Sequence, residues 1–144
     1  MRWVSAFLAG VLSTLIFHQG LLALLHLAGA SPRPAYVMTP IPPLGVPQVV
    51  SLAFWGGVWG IALWLALQSM EASWLYWISA LVFGALLPSV VALFVVLPLK
   101  GLPVAGGWNP SLIVGALLLN GAWGVGTALF LRVFGRFVHT GAGS

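Results

Sequence analysis

Charge is nearly absent from this chain, and its placement constrains the fold more than any other feature. The charged residues are Arg2, Arg33, Glu71, Lys100, Arg132 and Arg136, and they leave the uncharged stretches 3–32, 34–70, 72–99 and 101–131. A helix needs about 20 apolar residues to cross the hydrocarbon core of a bilayer. Each stretch is long enough for one crossing and too short for two, so four transmembrane helices follow. Soluble domains carry roughly 25% charged residues, whereas this chain carries 4% and is 61% hydrophobic. A β-barrel also satisfies backbone groups in lipid, but its strands alternate polar and apolar residues. The stretches here are continuous, which argues against it.

The expected architecture is a single all-α membrane domain over residues 1–144. Its four helices span about 3–29, 48–69, 74–98 and 110–134 and pair as two antiparallel hairpins. A secretory signal peptide is the competing reading of the first span, with Ala28-Gly29-Ala30 as its cleavage site. An h-region is roughly 7–15 residues, and this apolar run is about twice that, so a retained anchor is expected. Loop 30–47 is proline-rich and should be extended and polyproline-like. A short turn around Glu71 makes the second and third helices antiparallel neighbours. Pro88 should kink the third helix. After loop 99–109, Asn109 and Pro110 form an N-cap and first-turn proline for the fourth helix. Tail 135–144 is expected to be disordered.

The stretch Ser51–Leu65 is apolar all round, as a buried or membrane helix must be. Its Gly56-Gly57-Val58-Trp59-Gly60 has an echo in Asn120-Gly121-Ala122-Trp123-Gly124. Gly45-Val46-Pro47 is likewise echoed by Gly101-Leu102-Pro103, though at a different distance from the first echo. These echoes point to an internal duplication, with chance similarity as the alternative. Small residues recur at four-residue spacing on every helix, in the stripes Ala6, Gly10, Thr14 and then His18; Gly56 and Gly60; Ala80, Gly84, Pro88 and Ala92; Ala116, Asn120, Gly124 and Ala128. Such stripes let helix backbones approach closely in lipid, which makes Gly10, Gly56, Gly60, Gly84 and Gly124 the expected packing positions.

Polar side chains inside a membrane need a reason. At about 1.5 Å per residue, His18, Ser89 and Asn120 lie roughly 16, 14 and 15 Å from the loop ends of their helices. They share one depth, and Gln19 adjoins His18. A midplane cluster of His18, Gln19, Ser89 and Asn120 is therefore a candidate site for a ligand or a proton. The plainer reading is that these groups are interhelical hydrogen-bonding glue, at roughly 0.6–2 kcal/mol each. Trp55, Trp59, Trp64 and Trp123 lie within the spans. They are expected to pack against glycine notches, with the indole N–H groups seeking acceptors. Trp3, Trp74, Tyr76 and Trp77 would form one interfacial belt, with Tyr36 and Trp108 marking the other.

Several function classes find no support. The net charge of +4 is scattered over loops and ends rather than gathered in a patch, so no nucleic-acid partner is expected. Without cysteine, thiol catalysis and cysteine metal sites are absent. Glu71 is the one acid, which leaves no carboxylate pair and no Ser–His–Asp set. Haem through His18 would need a second axial ligand. His26 lies about 80° away around the same helix, so a bis-histidine site would require two copies of the chain. No cofactor, no metal and no enzyme activity are expected.

The expected role is a non-catalytic packing or assembly subunit, meeting the lipid bilayer and either itself or a larger membrane complex. The alternative is a small-ligand binding or permeation protein with a site around His18 and Asn120. Arg2, Arg132 and Arg136 on one side against Arg33 and Lys100 on the other place both termini in the cytoplasm by the positive-inside rule. The composition suggests a bacterial inner membrane.

Overall fold

The computed structural model describes residues 2–140, with side chains through Phe137. Four long helices dominate: α1, Arg2–Leu27; α2, Gln48–Leu67; α3, Trp74–Leu99; and α4, Pro110–Thr140. All four are long and apolar enough to cross a membrane. The 26 residues of α1 or α3 make a rod of about 39 Å, against a hydrocarbon core of about 30 Å.

The helix ends have local causes. Both α1 and α3 stop in a Schellman motif with a left-handed glycine just past the end. At α1, Gly29 has φ 76°, its N–H bonds the His26 carbonyl at 3.0 Å, and Ala30 N–H bonds Leu25 at 2.8 Å. At α3, Gly101 has φ 75°, its N–H bonds Pro98, and Leu102 N–H bonds Leu97, both at 3.0 Å. Helix α4 starts as expected, with Asn109 Oδ1 accepting from Ser111 N–H at 3.0 Å. It then runs on through Thr140 rather than ending near 134. Residues 135–140 of the expected disordered tail are thus helical, because Phe134 to Phe137 continue the helix without a proline to stop it. The last four residues of that tail lie outside the described residues.

Both α1 and α3 also contain a π-helical turn, Thr14–His18 and Ala92–Val96. Such a wide turn takes a carbonyl out of the regular ladder. Pro88 lies inside α3, and the irregularity in that helix comes one turn later, at Ala92.

The long loop, residues 28–47, departs from a plain polyproline segment. Strands β1, Pro40–Ile41, and β2, Val46–Pro47, pair antiparallel, with Pro40 opposite Pro47 and Ile41 opposite Val46. The turn between them holds a cis Pro42–Pro43 bond and Gly45 at φ 69°, whose N–H returns to Ile41 at 2.9 Å. Proline's fixed φ suits an extended strand as well as a polyproline helix, and proline is tolerated at the end of a short ladder. The loop also caps α2: Thr39 and Val37 carbonyls accept the Gln48 and Val49 N–H groups, each at 3.0 Å. In the short connection, residues 100–109, Ala105, Gly106, Gly107 and Trp108 form one left-handed turn, with φ of 51°, 61°, 71° and 61°.

Helix α1 packs along α2, α3 packs along α4, and α1 joins the two pairs through α4. The glycines do this where a side chain would not fit. A Cβ on Gly10 would overlap the Gly56 carbonyl, and one on Gly60 would lie 2.6 Å from the Ala6 carbonyl oxygen. A Cβ on Gly84 would overlap the Asn120 carbonyl, and one on Gly124 the Ala80 carbonyl. Ala6, Gly10, Gly56 and Gly60 therefore correspond one for one with Ala80, Gly84, Asn120 and Gly124. Between α1 and α4, Gly126 receives Phe17 and Ser13.

Tyr76 does not belong to an interfacial belt. It is 3% exposed, within a core of Leu63, Leu67, Ala80, Trp123 and Ala128. Its hydroxyl donates to the Ala128 carbonyl at 2.8 Å, and the Arg132 guanidinium lies 4.1 Å from its ring centre. Arg132 in turn donates to the Met70 carbonyl at 3.0 Å, tying α4 to the turn after α2. A cation–π contact and a hydroxyl seeking a carbonyl draw this ring inward.

Candidate functional site

Beside the Tyr76–Arg132 contact, three groups of hydrogen-bonded polar side chains among the described residues bear on the candidate site. The first lies between α3 and α4. Asn120 Nδ2 donates to Ser89 Oγ at 3.0 Å, and Ser89 Oγ donates to the Ala116 carbonyl at 3.1 Å. Ser89 follows Pro88 within α3 and is buried at this contact.

The second group crosses from α1 to α4. Ser13 Oγ donates to the Trp123 carbonyl at 2.6 Å, and Trp123 Nε1 returns a bond to the Gly10 carbonyl at 3.2 Å. Thr127 Oγ1 also donates to the Trp123 carbonyl, at 2.9 Å, and Thr14 Oγ1 donates to the Gly10 carbonyl, at 2.9 Å. Trp123 packs not in a glycine notch but among Leu63, Leu67, Tyr76, Ala80 and Ala128, and its indole N–H finds its acceptor in the Gly10 carbonyl. Trp55, in contrast, is 57% exposed on the outward side of α2.

The third group joins α1 to the long loop. Gln19 is 2% exposed. Its Oε1 accepts the Tyr36 N–H at 2.8 Å, and its Nε2 meets His18 Nδ1 at 3.1 Å. The Tyr36 hydroxyl donates to the Leu15 carbonyl at 2.7 Å, a carbonyl within the π-helical turn. Tyr36 itself sits at φ 55°, a region that residues other than glycine rarely occupy. This loop residue reaches back along α1 to the depth of residues 15–19.

The network assigns the protons of this group. A backbone N–H only donates, so the Gln19 atom facing Tyr36 is the oxygen. The atom facing His18 is then the amide nitrogen, and the ring nitrogen facing it must be an unprotonated acceptor. His18 is therefore neutral, with its remaining ring nitrogen carrying the hydrogen and making no hydrogen bond among the described residues.

The four residues expected to share one cluster thus fall into two pairs, Ser89 with Asn120 and His18 with Gln19. No hydrogen bond joins the pairs among the described residues. Equal depth does not ensure contact, because direction around the helix axis also matters. Of the other participants, Ser13 went unnoticed in the sequence and Tyr36 was read only as an interfacial ring. Ser13 was masked by the Ala6–Gly10–Thr14 stripe beside it. Tyr36 lies far from Gln19 along the chain, and its one local signal is that of a lone tyrosine in a proline-rich segment.

Among the described residues, no three His, Cys, Asp or Glu side chains come together in a way that could hold a metal ion. No protein-family model matches the chain, and neither a curated protein nor a solved structure matches it.

Proposed function

We propose that this chain is a non-catalytic membrane subunit, built from two duplicated antiparallel hairpins, that works by lateral packing against further copies of itself or a larger complex. The observation that carries this reading is the use of the interior polar groups. Ser13, Ser89, Asn120, Trp123 and Thr127 all bond across or along helices, which is scaffold work rather than solute handling. The duplication is supported by the matched contacts of Ala6, Gly10, Gly56 and Gly60 with those of Ala80, Gly84, Asn120 and Gly124. It keeps the Trp59–Gly60 and Trp123–Gly124 echo in register. The Gly-x-Pro echo falls out of register, and the length difference sits in the connections 28–47 and 100–109.

The glycine stripes are occupied inside the chain, so they leave no notch for a partner at these positions. The surface favoured for self-association is aromatic instead. Phe7, Phe54 and Trp55 make a chain of edge-to-face contacts at 5.8 and 5.5 Å, with Phe54 and Trp55 facing outward. A bacterial inner membrane with both termini cytoplasmic accords with Arg2, Arg132 and Arg136 at the end holding the termini.

Native mass spectrometry in mild detergent, joined to disulfide cross-linking of Trp55→Cys in membranes, tests this. Defined oligomers and a cross-linked dimer are expected; the chain has no other cysteine to confuse the result. A monomer alone, with no cross-link at any membrane density, would overturn it. Small-ligand binding or permeation is the second reading, favoured by the hydrogen-bearing His18 nitrogen, which makes no hydrogen bond among the described residues. His18→Ala separates the two: loss of a bound ligand or of solute flux with assembly intact supports the second.

A further inference from the structure

The Gln19 amide has one oxygen, and Tyr36 already engages it. Its nitrogen can satisfy either neutral tautomer of His18, because turning the ring brings the unprotonated nitrogen to face it. It cannot satisfy an imidazolium, whose two nitrogens both donate. The oxygen faces Tyr36 and the nitrogen faces His18, so turning the amide to offer its oxygen to cationic His18 would set its nitrogen against the Tyr36 N–H, donor against donor. At 2% exposure, Gln19 has no water to make up the difference, and a buried donor left unmatched is costly. We propose that His18 is a proton-binding site that controls the long loop. Neutral His18 keeps Tyr36 docked on α1; a proton on His18 turns the Gln19 amide and releases Tyr36.

Tyr36 is suited to this role. Its left-handed backbone, at φ 55°, is held against its own preference. The holding is done by the Gln19 oxygen and by the Leu15 carbonyl of the π-helical turn. Losing the first lets the backbone relax away from the second.

The surrounding charges do not supply a substitute. Arg33, in the same loop, is a donor-only cation and offers an imidazolium no acceptor. Helix α2 carries no titratable side chain, while Tyr76 of α3 and Arg132 and Arg136 of α4 lie toward the other end of the bundle. His26 is also on α1, but its Nδ1 donates to the Ser31 carbonyl at 2.9 Å. An imidazolium keeps that bond, so His26 lacks the conflict.

The absence of cysteine permits a single spin label at Met38→Cys, an exposed loop position. The labelled full chain in zwitterionic nanodiscs is titrated from about pH 8 to about pH 3, a range that reaches well below ordinary histidine titration. Label mobility should rise reversibly in one one-proton step. His18→Asn offers Gln19 a similarly placed acceptor that gains no proton, and its label should stay immobile throughout. Gln19→Ala should be mobile throughout, and His26→Asn should titrate like the parent. A parent label of constant mobility, or the same step surviving in His18→Asn, would overturn the proposal. So would loss of the step in His26→Asn. If Gln19→Ala does not fold, the parent and His18→Asn still decide it.

Discussion

The α1–α2 and α3–α4 crossings use the same four small positions and complete them differently. In both, a glycine of the first helix meets a carbonyl of the second, and a glycine of the second meets a carbonyl of the first. The position occupied by Gly56 in one crossing is occupied by Asn120 in the other. Gly56 lies against Thr14, whose hydroxyl bonds back to its own helix at Gly10. Asn120 reaches across to Ser89 and locks its pair with a side-chain bond. At the matching place in the α1–α2 crossing, the Thr14 hydroxyl stays within its own helix. Above it, the long loop caps α2 with backbone carbonyls and fastens to α1 through Tyr36. Close approach thus comes from missing side chains, and the polar fastening is added separately, inside one pair and over the top of the other.

The sharpest way to break the comparison is to fill both glycine notches. Gly10→Val and Gly84→Val each drive a side chain into a backbone carbonyl that cannot rotate away. Each should cost about 3 kcal/mol, the upper part of the overpacking range, read by detergent denaturation followed by circular dichroism. A large difference between the two would mean that the crossings are alike in geometry but not in energy.

A smaller effect tests the lock. A double-mutant cycle with Ser89→Ala and Asn120→Ala should give a coupling of about 0.6–2 kcal/mol. Thr14→Val, which removes a bond within one helix, should cost less than Asn120→Ala. Zero coupling between Ser89 and Asn120 would remove the distinction between the pairs. The smallest effect belongs to the glycines with open space around them. Gly20→Ala and Gly115→Ala meet nothing within 4 Å, and should leave stability unchanged to within about 1 kcal/mol, the helix preference for alanine.

Much of the framework was legible along the chain. The uncharged stretches marked the spans, Asn109 and Pro110 marked the start of α4, and the glycines at four-residue spacing lay at the close contacts. The candidate site was less legible. His18 and Asn120 share a depth, yet they serve different interfaces, because each residue turns a helix by about 100° and a small error in rotation changes the neighbour. Tyr76 read as an interfacial ring because it stands among Trp74 and Trp77, and only Arg132 and Ala128, from a distant helix, bring it inside.

The amino-acid sequence by itself determined the four apolar helices and the small residues that permit close approach. Both are sums over local residues, and hydrocarbon transfer and helix hydrogen bonding need no distant partner to be favourable. Only the tertiary structure decided that His18 pairs with Gln19, that Gln19 holds Tyr36 of the long loop, and that Asn120 belongs to Ser89. A hydrogen bond has one partner within about 3 Å, and which group fills that place depends on how helices and loop come together in three dimensions.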